Sequence, residues 1–361
     1  MNPPIRITVV GAGSVGGVLA FRLARVGHLV SVIARGDHLE AIQARGLTLI
    51  EGPDRANPSE PPETIAMQAS DDPAALARVS GPSDLIIIAL KAQSIPQMLP
   101  RLSPLLHGQT RVVAAINGVP WWYFSGHGGR HAGRQLQTLD PEGRAALAID
   151  PSCLVGCIVH LSAEVPAPGI VRHTAGKRLI LGEVLDPERD GSQASGHDAG
   201  GRLRRLAAAD IAVLCGAAGF TAEHTQDIRR EVWTKLIGNL SFNPVSALTG
   251  LRMDGLCADP AICDLLRSLI DEGKAVASAM GVAVTIDADA RIAMARSLGP
   301  VRTSTLQDFE AGRPPELDAL VGAVIELAQW YQVPVPALRQ VHALAQAKAR
   351  ALGLYGAQVK P

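Results

Sequence analysis

Residues 5–34 constrain this chain more than any other stretch. Ile5-Arg6-Ile7-Thr8-Val9-Val10 is a short apolar run rich in β-branched residues, the pattern of a strand buried on both faces. Gly11-Ala12-Gly13-Ser14-Val15-Gly16 follows at once. Apolar residues then recur at helical spacing at Val18, Leu19, Leu23 and Val26. Gly27-His28 ends that helix, and Leu29 to Ala34 reads as a second strand. Together these make a βαβ unit, whose crossover is right-handed.

The glycine spacing has a geometric meaning. Gly11 allows a tight turn, Gly13 lets the backbone approach a pyrophosphate, and Gly16 lets the helix pack close to the strand. The helix start offers free N–H groups and partial positive charge to a phosphate. Gly11, Ala12, Gly13, Ser14, Val15 and Gly16 are therefore candidate dinucleotide-binding residues, a purely structural glycine turn being the alternative. An NAD site usually places Asp or Glu at the end of the second strand. Here Ala34-Arg35-Gly36 stands there, and the planar fork of Arg35 suits a 2′-phosphate, which favours NADP(H). Asp37 lies beyond the turn, where it is expected to cap a helix over residues 37–44.

Further strands are expected at residues 47–50, 85–90 and 112–116, with helices at 37–44, 72–79 and 95–106. The alternation predicts an α/β fold with a doubly wound, Rossmann-like sheet. Lys91 and Asn117-Gly118 end two of these strands at the carboxyl edge, where such sheets bind ligands. Residues 153–161 and 170–181 read as antiparallel or edge strands. Residues 125–134 and 186–201 read as surface loops, the second followed by a helix over 202–209. Beyond residue 226 helical patterns take over, at 228–240, 260–280, 287–297, 317–330 and 337–351. The expected division is a nucleotide domain over residues 1–225 and an all-helical C-terminal domain over 226–361.

Composition narrows the function classes. Lys plus Arg and Asp plus Glu number 34 each, so no net field favours nucleic acid or an anionic membrane. The run Leu85 to Leu90 ends at Lys91, far too short to span a bilayer, and the N-terminal apolar stretch lacks signal-peptide character. Five cysteines, an odd number, read as reduced thiols of a cytoplasmic protein. Cys153, Cys157 and His160 lack a second ligand pair at usable spacing, so no metal is expected.

The catalytic signal lies far from the glycines. In Trp233-Thr-Lys-Leu-Ile-Gly-Asn-Leu-Ser-Phe-Asn-Pro244, helical spacing stacks Lys235, Asn239 and Asn243 on one side. Pro244 should stop or kink that helix. An ammonium can hydrogen-bond a ketone oxygen and donate its proton as that oxygen gains charge, while amides fix hydroxyl or carboxylate groups. An ordinary polar helix face is the alternative.

With these residues in hand, the chain resembles the ketopantoate reductase (2-dehydropantoate 2-reductase) family, within the 6-phosphogluconate-dehydrogenase-like superfamily. The matching residues run in family order: Gly11 to Gly16, Ala34-Arg35-Gly36, Leu90-Lys91-Ala92, Asn117-Gly118 and Trp233-Thr-Lys235. Asn239, Asn243-Pro244, Thr303-Ser304-Thr305-Leu306-Gln307-Asp308 and Glu316 complete the set. The resemblance implies NADPH-dependent reduction of 2-dehydropantoate to pantoate in pantothenate biosynthesis, with Lys235 as general acid and Glu316 assisting. It implies that Asn239, Asn243 and Ser304 bind the oxo acid, Arg35 holds the 2′-phosphate, and Lys91 and Asn117 line the cofactor. Without it, Ser304 reads as a helix cap and Glu316 as an acid in the first turn of a helix.

The chain also departs from the family. Trp121-Trp122-Tyr123-Phe124 and the Gly/His/Arg loop after them replace a shorter, less aromatic connection, in a chain with only 3% aromatic residues. These four can shape a larger or more apolar pocket, cover a nicotinamide, form an interface, or make a satellite core. Separately, a homodimer is an open expectation. Met253-Asp254-Gly255 stands where some members carry a further substrate Asn. Two rival functions stay open: the same chemistry on a bulkier 2-oxo acid or imine, and an inactive NADP(H)-binding sensor.

Overall fold

A computed structural model describes residues 4–52, 61–185 and 205–355. Contacts divide the chain into two compact units. The first runs through Ile116 and adds Trp122–Gln135 and Glu142–Ile228. The second comprises Asn117–Trp121, Leu136–Pro141 and the chain from Arg229 onward.

The first unit is built on one mixed sheet. Strands β1 (Arg6–Val10), β2 (Leu29–Ile33), β3 (Leu47–Glu51), β4 (Glu63–Ile65), β5 (Gln68–Ser70), β6 (Leu85–Ile88), β7 (Arg111–Ala114), β8 (Leu154–Ala167) and β9 (Ile170–Glu183) lie in the order 4-3-9-8-7-6-1-2-5. Strand β10 (Thr221–His224) pairs with β9. The centre is parallel: β1 pairs with β2 and β6, and β6 with β7. Its strands are apolar on both faces because both are covered, and β6 and β7 are buried throughout. Helix α1 (Ser14–Arg25) packs on β1, with Phe21 and Leu23 fully buried. Each stabilises the fold by about 1.5–3 kcal/mol.

Strands β8 and β9 take the antiparallel alternative rather than the edge one. Each has 14 residues, and together they form an antiparallel hairpin inside the sheet. β8 pairs with β7 at one end of the hairpin, and β9 pairs in parallel with β3 near the tip and with β10 near the base. An ionic cluster ties this hairpin to α1 and β3. Arg22 donates to Glu51 Oε1 at 2.6 Å and to the Gly219 carbonyl at 3.1 Å, and His173 Nδ1 lies 2.7 Å from Glu51 Oε2. Burial works against the Glu51 charge, but the hydrogen bonds from His173 and Arg22 outweigh it and hold the carboxyl below its ordinary value.

Helix α2 (Gly36–Arg45) is capped by the Arg35 backbone, whereas Asp37 sits in its first turn and is not the cap. Asp72 does cap α3 (Pro73–Ser80), accepting from Ala74 and Ala75 N–H. The expected helix over 95–106 breaks into a short α4 (Ile95–Met98) flanked by 3-10 turns at Ala92–Ser94 and Leu99–Leu105. Pro96, Pro100 and Pro104 recur every four residues and remove the N–H groups a continuous helix needs. Helix α5 (Arg144–Ala148) is short. The expected loop 186–201 lies outside the described residues, as does the start of the helix placed at 202–209; the helix observed, α6, spans Ala208–Ala217. Residues 125–134 are mostly exposed turns, closed by Gly133 N–H donating to the Phe124 carbonyl at 2.9 Å.

The second unit is helical around α7 (Ile228–Thr249). Pro244 neither stops this helix nor ends it early: it runs to Thr249. Trp233, Leu236, Ile237, Leu240, Phe242, Val245 and Ala247 are all buried, so α7 is covered nearly all round. Helices α8 (Met253–Ala258), α9 (Pro260–Ala279), α10 (Ala288–Ser297), α11 (Ser304–Glu310), α12 (Ala323–Tyr331) and α13 (Pro336–Ala351) follow it in the chain. A π-helical turn, Asp318–Gly322, leads into α12. At Gly273 of α9 a Cβ would meet Ile237 and Leu240 of α7 at 2.9 Å, so the two helices pack closely there. Lys348 Nζ donates to the Ala247 and Leu248 carbonyls at 2.6 and 3.1 Å, capping the C-terminus of α7 with a cation.

Candidate active site

Parallel register sets the nucleotide edge of the first unit. Val10 pairs with Ile33 and with Ile88, so Gly11, Ala34-Arg35 and Ala89-Leu90-Lys91 leave the sheet together at its carboxyl end. Gly11 has φ +98°, and a Cβ there would lie 2.6 Å from the Ala89 carbonyl. A Cβ on Gly16 would lie 1.9 Å from the Gly11 carbonyl oxygen, so only glycine lets α1 start so close to β1. Around Gly13 nothing lies within 4 Å of a Cβ position. Gly13 caps α1 through its backbone, with its carbonyl accepting from Gly17 N–H at 2.7 Å. Two crowded glycines and one facing open space fit a pyrophosphate at this helix start.

One residue of this turn escaped sequence reading. His38 Nδ1 accepts from Gly169 N–H at 2.9 Å, so its Nε2 carries the proton and donates to the Ala12 carbonyl at 2.7 Å. Because the peptide is trans, a carbonyl held toward His38 aims the Gly13 N–H the opposite way. Arg35 is exposed, and Lys91 is half-buried at the start of the 3-10 turn that follows β6.

The second unit gathers the catalytic candidates. Lys235 and Asn239 are half-buried on α7, and Asn243 is buried. Lys235 Nζ donates to Asn117 Oδ1 at 2.7 Å. Asn243 Nδ2 reaches Ser304 Oγ at 3.4 Å. Ser304 itself is exposed in the first turn of α11 and is not its cap; Thr303 caps instead, accepting from Leu306 N–H at 3.2 Å. Glu316 is half-buried, and its carbonyl accepts from Leu320 N–H at 3.1 Å, inside the π-turn. Asn117, expected to line the cofactor, also accepts a bond from the lysine. Its loop is seated on the π-turn: Gly118 has φ +81°, and Val119 N–H donates to the Ala319 carbonyl at 2.9 Å.

The aromatic run is core. Trp121, Trp122, Tyr123 and Phe124 are each 7% exposed or less, which removes the interface reading. Within the first unit, Trp122 packs over Gly156, where a Cβ would meet its ring at 2.9 Å. Tyr123 and Phe124 pack edge to face at 5.3 Å. Among the described residues no group of three or more His, Cys, Asp or Glu side chains is placed to hold a metal ion, and no helix is long and apolar enough to cross a membrane.

A Rossmann-like sheet with a dinucleotide turn, joined in one chain to a helical unit carrying a hydrogen-bonded lysine, defines an oxidoreductase of a pyridine-nucleotide-dependent class. Residues 7–186 match the family described as Ketopantoate reductase PanE/ApbA, and residues 227–349 match its C-terminal part. The chain belongs to this family. It is 42% identical to a 2-dehydropantoate 2-reductase of Mesorhizobium japonicum, over 97% of this chain and all of the relative. A ketopantoate reductase candidate from Ralstonia solanacearum MolK2 superposes with a TM-score of 0.84 at 38% identity, over 98% of this chain and all of that one. A D-mandelate dehydrogenase solved with NADH and anilino(oxo)acetate shares the fold at TM-score 0.77 and 18% identity, over 97% of this chain and all of that one.

Proposed function

We propose that this protein reduces 2-dehydropantoate to pantoate with NADPH, a step of pantothenate biosynthesis, with Lys235 as the general acid. The substrate assignment is supported by the relative that is 42% identical over its whole length. NADPH is supported by Arg35, an exposed guanidinium directly after β2, where an NAD site would carry an acid. Gly11, Ala12, Gly13, Ser14, Val15, Gly16, Arg35 and Lys91 would hold the nucleotide. When bound, the reduced nicotinamide supplies hydride to the C2 carbonyl carbon.

The observation that carries the catalytic assignment is the 2.7 Å bond from Lys235 to Asn117. It holds the ammonium against a fixed acceptor and so limits where it can swing. The ammonium can bond the carbonyl oxygen and pass it a proton as negative charge develops. Asn239, Asn243 and Ser304 offer amide and hydroxyl groups to the carboxylate and hydroxyl of the oxo acid. Glu316 would assist; it lies three residues before Ala319, whose carbonyl seats the Asn117 loop.

The test is the loss of NADPH absorbance, compared with NADH, on adding ketopantoate and then a panel of bulkier 2-oxo acids. Turnover of ketopantoate with NADPH preferred is expected. Lys235→Ala should lower kcat by roughly 10²–10⁴-fold. Near-normal turnover in that variant removes the acid assignment, and activity confined to a bulkier acid reassigns the substrate.

A further inference from the structure

A cluster of polar side chains around the π-turn takes no part in the chemistry above. Asp318 opens the π-turn, where the Ala323 N–H reaches back five residues to the Asp318 carbonyl. The Asp318 carboxylate accepts from the Tyr355 hydroxyl at 2.7 and 2.8 Å and from Gln346 Nε2 at 3.2 Å; His342 Nε2 stands 3.4 Å away. Tyr355 and Gln346 also bond each other. Gly322 makes room: a Cβ there would come within 3.1 Å of Asp318 Oδ1 and 3.4 Å of the His342 ring. Burial opposes the charge on Asp318, yet the nearby His342 ring and hydrogen bonds from Tyr355 and Gln346 hold its carboxyl below the ordinary value. Burial and the neighbouring Asp318 push the Tyr355 phenol up, so the proton stays on the phenol.

The residue after this anchored carboxylate is Ala319. Its carbonyl accepts from Val119 N–H at 2.9 Å, and its backbone would lie 2.4 Å from a Cβ on Gly118. The residue before Gly118 is Asn117, whose amide oxygen receives the Lys235 ammonium at 2.7 Å. The path from Asp318 to Lys235 is therefore one covalent step, one backbone hydrogen bond, two residues of loop and one side-chain hydrogen bond. The same turn bears the bond to the Glu316 carbonyl.

We propose that Asp318, clamped by Tyr355, Gln346 and His342, is a positioning residue that fixes the π-turn and through it aims Asn117 at the Lys235 ammonium. The inference rests on Lys235 being the proton donor. A clamp that merely tied down the last helix would touch stability and leave the lysine alone.

Tyr355→Phe tests this with minimal disturbance, because it removes one hydroxyl from a side chain that otherwise stays in place; Asp318→Asn is the second variant. In Tyr355→Phe, kcat should fall roughly 10-fold, less than the 10²-fold that a 1 Å misplacement can cost. KM for the oxo acid should hold within about 2-fold if the loss is confined to the transition state. The alkaline limb of the kcat–pH profile should move to lower pH, because a wandering amide no longer favours the ammonium. In an Asn117→Ala background the same substitution should cost nothing further, since the route is already cut. Unchanged kcat and pH profile with only a lower melting temperature would overturn the proposal, as would a full 10-fold loss in the Asn117→Ala background. An inactive Lys235→Ala enzyme beside a normal Tyr355→Phe enzyme sinks this inference alone, whereas an active Lys235→Ala enzyme sinks the acid assignment and this inference with it.

Discussion

Two alanine substitutions three residues apart should fail in opposite ways. At Gly16 an added Cβ lies 1.9 Å from the Gly11 carbonyl oxygen and 2.9 Å from Ala89 Cβ. The oxygen is backbone, so helix α1 must back away from the turn by about 1 Å, opening contacts along its buried face. Overpacking of this kind costs about 1–3 kcal/mol, and the backbone obstacle puts Gly16→Ala at the upper end. For a domain of roughly 200 residues each kcal/mol moves Tm by about 2–4 °C, so a fall of about 6–12 °C is expected. At Gly13 the added Cβ meets nothing within 4 Å, and φ of −67° suits alanine. The poorer cap costs up to about 1 kcal/mol, and a stiffer unfolded chain returns about 0.4–1 kcal/mol, so Tm should stay within a few degrees. The methyl group, however, occupies the space a pyrophosphate needs. Losing one or two charge-assisted hydrogen bonds of about 1.5–3 kcal/mol each should weaken NADPH binding by at least roughly 10-fold. Calorimetry and a fluorescence titration of NADPH measure both quantities on the same samples. A Gly13→Ala protein that binds NADPH normally, or a Gly16→Ala protein that melts normally, refutes the geometric reasoning.

Two further outcomes follow from charges. Arg35→Ala should raise KM for NADPH by roughly 10-fold or more while leaving KM for NADH nearly unchanged, since charge-assisted bonds to a 2′-phosphate are worth about 1.5–3 kcal/mol; equal effects on both nucleotides in steady-state assays would reject the phosphate role. Glu51 has a folded pKa below its unfolded value of 4.5, so its contribution is complete above about pH 5 and is lost as pH falls through the folded value. Glu51→Gln should therefore be less stable than the parent by about 3 kcal/mol at pH 7, with the gap closing as pH falls through the folded value, as urea titrations at several pH values would show; a gap independent of pH contradicts the ionic account.

The parts of the fold that were legible in sequence are those where local chemistry leaves one solution. β1, the glycine turn and α1 were readable because Gly11 and Gly16 stand where no Cβ fits. Helix α7 was read only as far as Leu240: its later residues are buried on every side, so no polar stripe marks a period, and Pro244 suggested an end. β4, β5 and β10 are three or four residues long and largely half-exposed or exposed, too short to alternate visibly. The hairpin β8–β9 had strand character in sequence, but its inner position depends on pairing with β3, 122 residues away. The site divides in the same manner. Lys235, Asn239 and Asn243 share one helix and a spacing, whereas the Asn117 bond spans 118 residues and the Tyr355 bond to Asp318 spans 37. His38 looked like any surface residue of a helix start, and only the approach of Gly169 and Ala12 gives it a task.

Asn117–Trp121 and Leu136–Pro141 belong by contact with the helical half, although they are encoded among the strands. Gln137 and Thr138 N–H groups dock on the Glu326 carboxylate at 2.9 and 2.8 Å, and Val119 docks on Ala319. A chimera spliced once near residue 229 would therefore inherit these two inserts from one parent and their docking partners from the other. Shuffling among relatives must carry three crossover blocks together, and a gene fragment starting at 229 would encode a helical half stripped of the amide that holds its lysine.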